Sequence, residues 1–188
     1  RERDLPLKSS VVTAGRFALL LVAFQIMLGG WTSANYAATS CPDFPTCQGK
    51  WWPRMNIADA LWPAPPPAAG DYEGGTLAGE SRTAIHFTHR LGAVVTLLVV
   101  GGLAFRLVQT KGPARIRGAW IGGAVIVQFG LGVANVWLYF PLWVAVAHNG
   151  GAALLLLLLV AVNLAFKPIE ESEFDAARPL PAPRPSGT

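Results

Sequence analysis

Long hydrophobic runs separated by polar segments give this chain its pattern. Residues 17–38 contain no charge over 22 positions, and an α-helix needs about 20 residues to cross the hydrocarbon core of a membrane. A second run extends over residues 83–105. Residues 118–166 contain no Asp, Glu, Lys or Arg, which leaves room for two spans with Pro141 at the turn between them. The pattern therefore predicts an all-α membrane protein, a bundle of four transmembrane helices. The predicted spans are residues 17–38, 83–105, 118–139 and 142–166.

The segments outside the spans are polar and differ in character. Residues 1–12 mix both charges and are predicted to be a cytoplasmic lead-in. Residues 39–82 form a long loop rich in Pro and Gly, in which residues 54–62 favour a short helix at the membrane interface. Residues 167–188 are acidic and then Pro-rich, which indicates a disordered cytoplasmic tail. Three tryptophans of the loop suit the headgroup layer, namely Trp51, Trp52 and Trp62.

Charge predicts the orientation of the spans and the class of partner. Only 14% of the residues are charged, against roughly 25% in soluble domains. The short connection at residues 106–117 carries four basic residues and no acid, so the positive-inside rule makes it cytoplasmic. The loop at residues 39–82 then faces outward, into an oxidising compartment. The net charge of +4 is spread over such connections, which argues against nucleic acid as a partner.

The start of the chain gives two further expectations. It begins with Arg1 and lacks an initiator Met, so we expect a fragment or a processed form of a longer protein. We expect no signal peptide, because the first apolar run is too long and has no small-residue cleavage site.

Two short motifs recur in the same order. The first and third spans carry the pattern Q-x-x-L-G, beginning at Gln25 and at Gln128. The second and fourth spans carry H-x-x-G-A, beginning at His89 and at His148. The chain therefore resembles two helical hairpins of one design, related by an axis along the membrane normal. Gln25 and Gln128 are predicted to form interhelical hydrogen bonds rather than to take part in catalysis.

The repeat places two histidines at matched depth. His89 and His148 are each the seventh residue from the outer end of a span, which is a depth of roughly 10 Å at about 1.5 Å per residue. Two imidazoles facing each other in a bundle core suit bis-histidine ligation of a haem iron. The glycines after each histidine are expected to leave room for a flat macrocycle. The alternative is a pair of buried neutral histidines bonded to backbone or to glutamine.

Two neighbours of His89 have open roles. His86 lies one turn earlier on the same helix face, where it could handle protons or be an interfacial residue. A zinc site at His86 and His89 would need further ligands, and the spans lack Asp and Glu. Arg90 could pair with a haem propionate or extend to the lipid headgroups.

Cys41 and Cys47, the only cysteines, lie at the start of the outer loop. Five residues separate them, so a closed loop is feasible. A structural disulfide on the outer cap is the favoured interpretation, and a redox-active pair is the alternative. A metal site is not favoured, because two thiols without a nearby His supply too few ligands.

Several motifs, in order over roughly residues 10–168, resemble the haem A synthase family. They are GGWTSANYAATSCPDFPTCQGKWWP at 29–53, DYEGG at 71–75, IHFTHR at 85–90 and AHNGG at 147–151. Members of that family have eight spans in two similar halves, and this chain resembles the C-terminal half. The family oxidises a ring methyl of haem O to the formyl group of haem A for cytochrome oxidase.

The resemblance implies roles for individual residues. It implies that His89 and His148 ligate a b-type haem and that Cys41 and Cys47 form a disulfide. The missing half is expected to bind the substrate haem O, with an acidic residue one turn before its first ligand. Here that position is His86, which weakens the case for substrate oxidation by this half and favours an electron-relay or structural haem.

The resemblance also implies location and partners. It places the protein in the bacterial inner membrane, with the cysteine loop on the periplasmic side. The expected partners are the N-terminal half, membrane lipid, haem O synthase and cytochrome oxidase assembly factors. Two rival hypotheses are a stand-alone membrane b-type electron carrier and a non-redox interaction subunit.

Overall fold

A computed structural model describes residues 5–62 and 75–169 of the chain. The described elements follow one another as strand β1 (Leu5–Lys8), helix α1 (Ser9–Ala34), a 3₁₀ turn (Ala38–Ser40), helices α2 (Ile57–Leu61), α3 (Gly79–Val108), α4 (Pro113–Trp137) and α5 (Leu142–Ala165), and strand β2 (Phe166–Ile169). Residues 71–74 of one family motif and the tail beyond residue 169 lie outside the described residues, so the predicted disorder of the tail stays a prediction there.

The predicted all-α architecture is confirmed. Helices α1, α3, α4 and α5 are long and apolar enough to cross a membrane. They pack as a ring in which α3 contacts α1 and α4, while α5 contacts α4 and α1. Helices α3 and α5 therefore lie diagonally across the bundle, each between two antiparallel neighbours. The short helix expected within residues 54–62 is present as α2, which packs on α3.

The long helices extend beyond the membrane spans predicted from the distribution of charged residues. Helix α1 begins before residue 17 and includes Arg16, and α3 begins at Gly79. A charge-free window marks the hydrocarbon core, whereas the helix continues into the interface, where charged side chains are hydrated.

Local sequence explains the ends of the helices. Pro113 is in the first turn of α4, where its missing N–H costs nothing, and Gly112 before it has a φ of +69°. Between α4 and α5, Tyr139 and Phe140 both take positive φ values and Pro141 caps α5. The backbone N–H of Phe140 donates to the carbonyl of Asn135 at 2.7 Å, which closes this turn.

The two ends of the described chain pair with each other, which the sequence did not predict. Strands β1 and β2 run parallel, with Leu5 opposite Phe166. Leu5, Leu7 and Phe166 are buried in the main core of the bundle. Lys167–Ile169, placed by the sequence in a disordered tail, thus belong to β2, and the expected polar lead-in includes a strand. Burial of alternate apolar residues accounts for this difference.

Helices α3 and α4 approach closely next to their connection. A Cβ added at Gly118 would lie 2.6 Å from the Cβ of Leu107 and 2.9 Å from the carbonyl oxygen of Ala104. The obstructing atoms belong to the backbone and the Cβ of a packed helix, so they have little freedom to move. Only glycine therefore fits at this contact.

Gly118→Ala is expected to destabilise the bundle by about 1–3 kcal/mol, because overpacking displaces α4 from α3. Gly123→Ala is the matched control on the same helix, since nothing lies within 4 Å of its added Cβ. The control is expected to be neutral or to stabilise by up to about 1 kcal/mol through helix propensity. Unfolding of both variants in detergent measures the difference, and equal effects would contradict the proposed contact.

Candidate functional site

A cavity of about 620 Å³ lies among the four long helices. All three histidines of the chain line it, together with Gln25, Gln128 and Arg90. Its volume falls within the range of about 300–1,000 Å³ that is usual for ligand and cofactor sites. The structure therefore brings the predicted histidines, one from α3 and one from the diagonal helix α5, to a single cavity.

His89 is held by a glutamine of the neighbouring helix α1. The amide nitrogen of Gln25 lies 3.0 Å from Nδ1 of His89 and donates to the main-chain carbonyl of His89 at 2.9 Å. Gly29, one turn after Gln25, faces the imidazole, and a Cβ there would lie 3.2 Å from Cε1. With Nδ1 directed at the glutamine, Nε2 is the ring nitrogen that remains for a ligand.

The second hairpin repeats this arrangement. The amide nitrogen of Gln128 on α4 lies 3.2 Å from Nδ1 of His148 on α5. A Cβ added at Gly132 would lie 3.2 Å from Cε1 of His148, the same separation as in the first hairpin. The internal repeat predicted from the sequence is thus also present in the structure, as equivalent glutamine–histidine and glycine–histidine contacts. The predicted interhelical bonds of both glutamines also form.

The glycines after the histidines serve a purpose different from the expected one. A Cβ added at Gly92 would clash with the amide oxygen of Gln25, and one at Gly151 would clash with that of Gln128. At Gly92 and Gly151 the space is therefore taken by an amide rather than left for a macrocycle, whereas nothing lies within 4 Å of a Cβ added at Gly150. The space is filled by the glutamine side chain, which must reach across to the histidine one turn away.

Arg90 is anchored in the outer loop. Its Nη1 donates to the carbonyls of Asp43 and Thr46, at 2.7 and 2.9 Å, and its Nη2 donates to the carbonyl of Cys41 at 2.6 Å. The guanidinium thus binds the loop rather than the lipid headgroups. Arg90 also lines the cavity, and its pairing with a propionate stays a prediction.

His86 is buried at 4% exposure and lines the same cavity. Its Nε2 accepts a hydrogen bond from Nε of Arg90 at 3.2 Å. An arginine N–H is an obligatory donor, so Nε2 acts as the acceptor and the ring proton of neutral His86 is on Nδ1. The interfacial interpretation of His86 does not fit this burial, and its proton-handling role stays a prediction.

The segment bound by Arg90 is closed by the predicted disulfide. Cys41 and Cys47 are bonded and fully buried. Within this loop the Asp43 carboxylate accepts bonds from the Thr46 hydroxyl and from the N–H groups of Gln48 and Gly49. The Thr46 bond is the main reason that the pKa of Asp43 lies below its usual value.

Phe44, between the two cysteines, covers one side of the cavity. Its ring contacts Phe129 and Trp137 edge to face, at centroid distances of 6.4 and 6.2 Å. The Arg90 guanidinium lies 5.9 Å from the Phe44 centroid. The disulfide loop is therefore packed on the end of α4 and forms a wall of the cavity.

Sequence reasoning missed two polar residues of the cavity. Thr96 and Asn135 line it and are buried, and an oxygen of each side chain has no hydrogen-bond partner. Each lies seven residues after a repeat motif residue, Thr96 after His89 and Asn135 after Gln128. That offset is two helical turns, and it places them on the cavity face. This seven-residue spacing could have identified both residues from the sequence.

The described residues contain no group of three or more His, Cys, Asp or Glu side chains able to hold a bare metal ion. A haem iron needs only two side chains, because the porphyrin nitrogens occupy its other four positions.

The fold and the cavity define a multi-pass helical membrane protein with two histidine–glutamine pairs facing one internal site. The chain belongs to the COX15-CtaA family, described as cytochrome oxidase assembly protein, whose model matches residues 1–160.

Curated relatives agree with this family. The chain is 44% identical in sequence to haem A synthase of Shewanella oneidensis over 147 aligned residues. The alignment covers 78% of the chain and 44% of that protein. Haem A synthase of Rhodospirillum centenum is 42% identical over 83 residues, 43% of the chain and 22% of the relative. That of a Caulobacter species is 35% identical over 138 residues, 72% and 36% respectively. The chain thus spans less than half the length of these relatives. No solved structure matches it.

Proposed function

We propose that this chain is the C-terminal four-helix half of a membrane haem A synthase. We further propose that it binds one b-type haem, with His89 and His148 as the axial ligands of the iron. One observation carries the proposal. Two imidazoles from equivalent positions of a duplicated hairpin line one cavity, and each has Nδ1 engaged by a glutamine.

The residues present fit such a group. The cavity of about 620 Å³ is lined mainly by apolar side chains of all four helices, which suits a flat hydrophobic macrocycle. Its buried unpaired oxygens, on Thr96 and Asn135 among others, are available to polar substituents or to water. When bound, the haem would supply one-electron chemistry at a potential set by its axial ligands and its burial.

The proposed role of this half is electron relay or structural support. The resemblance to haem A synthases implies an acidic residue one turn before the first ligand of the substrate-binding half. Here that position is His86, which Arg90 already engages. Oxidation of haem O to haem A is therefore assigned to the N-terminal half of the longer protein. Haem O synthase and cytochrome oxidase assembly factors are the proposed further partners.

The proposed location is the bacterial inner membrane, with the disulfide loop on the periplasmic side. The basic connection at residues 106–117 supports this orientation. The disulfide supports it as well, because such bonds persist in an oxidising compartment.

A visible spectrum with extraction of the haem tests the proposal. The purified protein is expected to show a six-coordinate low-spin haem, because two imidazoles give a strong axial field, and the pyridine extract is expected to be haem b. A colourless folded preparation from haem-replete cells would favour a non-redox subunit instead. Normal haem A production in cells carrying a haem-free variant would favour a stand-alone b-type electron carrier.

A further inference from the structure

The two glutamines have an unusual environment for polar side chains in membrane-spanning helices. Gln25 and Gln128 are partly buried on α1 and α4, at equivalent places in the repeat. In each, the amide nitrogen lies beside Nδ1 of a histidine, while the amide oxygen is buried without a partner. An unpaired buried oxygen is costly, and this cost occurs twice in the same geometry.

The surrounding glycines show that the position of the amide is built into the fold. Gly92 and Gly151 provide the space for the amide oxygens of Gln25 and Gln128, and a Cβ at either position would displace the amide from its place beside the histidine. Both glycines lie three residues after a histidine, on the same face of its helix. Each hairpin therefore dedicates a glutamine and a glycine to holding one imidazole.

We propose that Gln25 and Gln128 are positioning residues that orient the two imidazoles and select the tautomer that ligates iron. The inference rests on the proposed haem site. Iron ligation through Nε2 places the ring proton on Nδ1, and that proton needs an acceptor. A half-turn of the amide brings its unpaired oxygen to Nδ1–H, which satisfies both atoms at once. Ligands of this kind almost always donate their second N–H to such a partner.

The two sites are not equivalent in this respect. The nitrogen of Gln128 bonds only to the imidazole, so its amide can turn without losing another contact. The nitrogen of Gln25 also donates to the His89 carbonyl at 2.9 Å, and a half-turn would place two oxygens against each other. Gln128 therefore supplies the acceptor more readily, and His148 becomes the more electron-donating of the two ligands.

The test compares Gln128→Leu, Gln128→Glu and Gln25→Leu in the purified protein. Gln128→Leu is expected to weaken haem binding by roughly 10- to 100-fold, the usual cost of losing such a partner. It is also expected to raise the midpoint potential of the haem that remains, because the imidazole becomes a poorer donor. Gln128→Glu keeps an acceptor, so it is expected to retain haem and to lower the potential. Gln25→Leu is expected to shift the potential less than Gln128→Leu.

Asn163→Leu is the matched control. Asn163 also makes an interhelical amide bond, from α5 to the Gly15 carbonyl of α1 at 3.1 Å, but it does not line the cavity. This variant is expected to lose stability without any change in potential. If Gln128→Leu behaves like the control, with wild-type potential and haem affinity, Gln128 is only a structural residue and the inference is wrong.

A measurement without haem separates this inference from the haem site itself. Ring ¹⁵N chemical shifts of labelled histidine in haem-free protein report which nitrogen carries the proton. Gln128→Leu is expected to change the tautomer balance of His148, whereas Asn163→Leu leaves it as in wild type. An unchanged balance would overturn the positioning role even if wild type binds no haem. A colourless wild type with a changed balance would overturn the haem site alone.

Discussion

Replacing His148 with alanine is expected to abolish the six-coordinate low-spin spectrum of the purified protein. The proposed haem iron would lose one of its two proposed ligands, and the described lining of the cavity offers no other histidine on α5 to replace it. His89→Ala is expected to act in the same way, since the repeat gives the two residues equal places. Purified variants, matched for protein concentration, would be compared by visible and electron paramagnetic resonance spectra.

His86→Ala is the informative control for this experiment. His86 lies one turn before His89 and lines the same cavity, so it is the rival ligand on α3. If His89 is the ligand, His86→Ala retains a six-coordinate spectrum and His89→Ala does not. The reverse result would transfer the ligand role to His86, and an unchanged spectrum in both His89→Ala and His148→Ala would remove the assignment.

Arg90→Leu is expected to destabilise the outer loop and the bundle by about 2–4 kcal/mol. Arg90 donates to three carbonyls, those of Cys41, Asp43 and Thr46, and a hydrogen bond from a charged donor contributes roughly 1.5–3 kcal/mol net. The expected loss is smaller than three such bonds, because the site is only partly buried and water can reach the carbonyls once the side chain is removed. The expected readouts are a lower thermal midpoint in detergent and faster proteolysis of the loop.

Two arginine controls separate charge from geometry. Arg90→Lys keeps the charge but lacks the planar fork, so it is expected to lose part of the stability. Arg54→Leu, on an exposed arginine of the same outer loop, is expected to stay within about 0.5 kcal/mol of wild type. Equal stability of Arg90→Leu and Arg54→Leu would show that Arg90 does not anchor the loop.

The fold was largely predictable because a membrane-spanning helix can be identified from a local stretch of sequence. Uncharged windows of sufficient length mark α1, α4 and α5, and α3 is marked by an apolar window that is charge-free over residues 91–105. The pairing of β1 with β2 has no such signal, since it depends on two short segments more than 150 residues apart. Helix ends were also misplaced, because the residues that continue a helix into the interface are polar.

The candidate site was predictable where the repeat duplicated it. The recurrence of His89 and His148 in one context predicted that they share a site, and both line the same cavity. The contacts of Arg90 were not predictable, because its partners lie 44 to 49 residues away and are main-chain carbonyls, which carry no sequence signature. The use of Gly92 and Gly151 was misjudged, since spacing does not say which neighbour fills a gap.

The pairing of β1 with β2 brings the start of α1 beside the end of α5. Residue 169 pairs with residue 8, so a linker from residue 169 to residue 5 would cross to the neighbouring strand and run back along its four residues. That distance is roughly 10–15 Å. A circular permutant opened at the connection between Val108 and Pro113 would then exchange the order of the two hairpins along the chain. Such a permutant would test whether the same ring of four helices forms when the second hairpin is synthesised before the first.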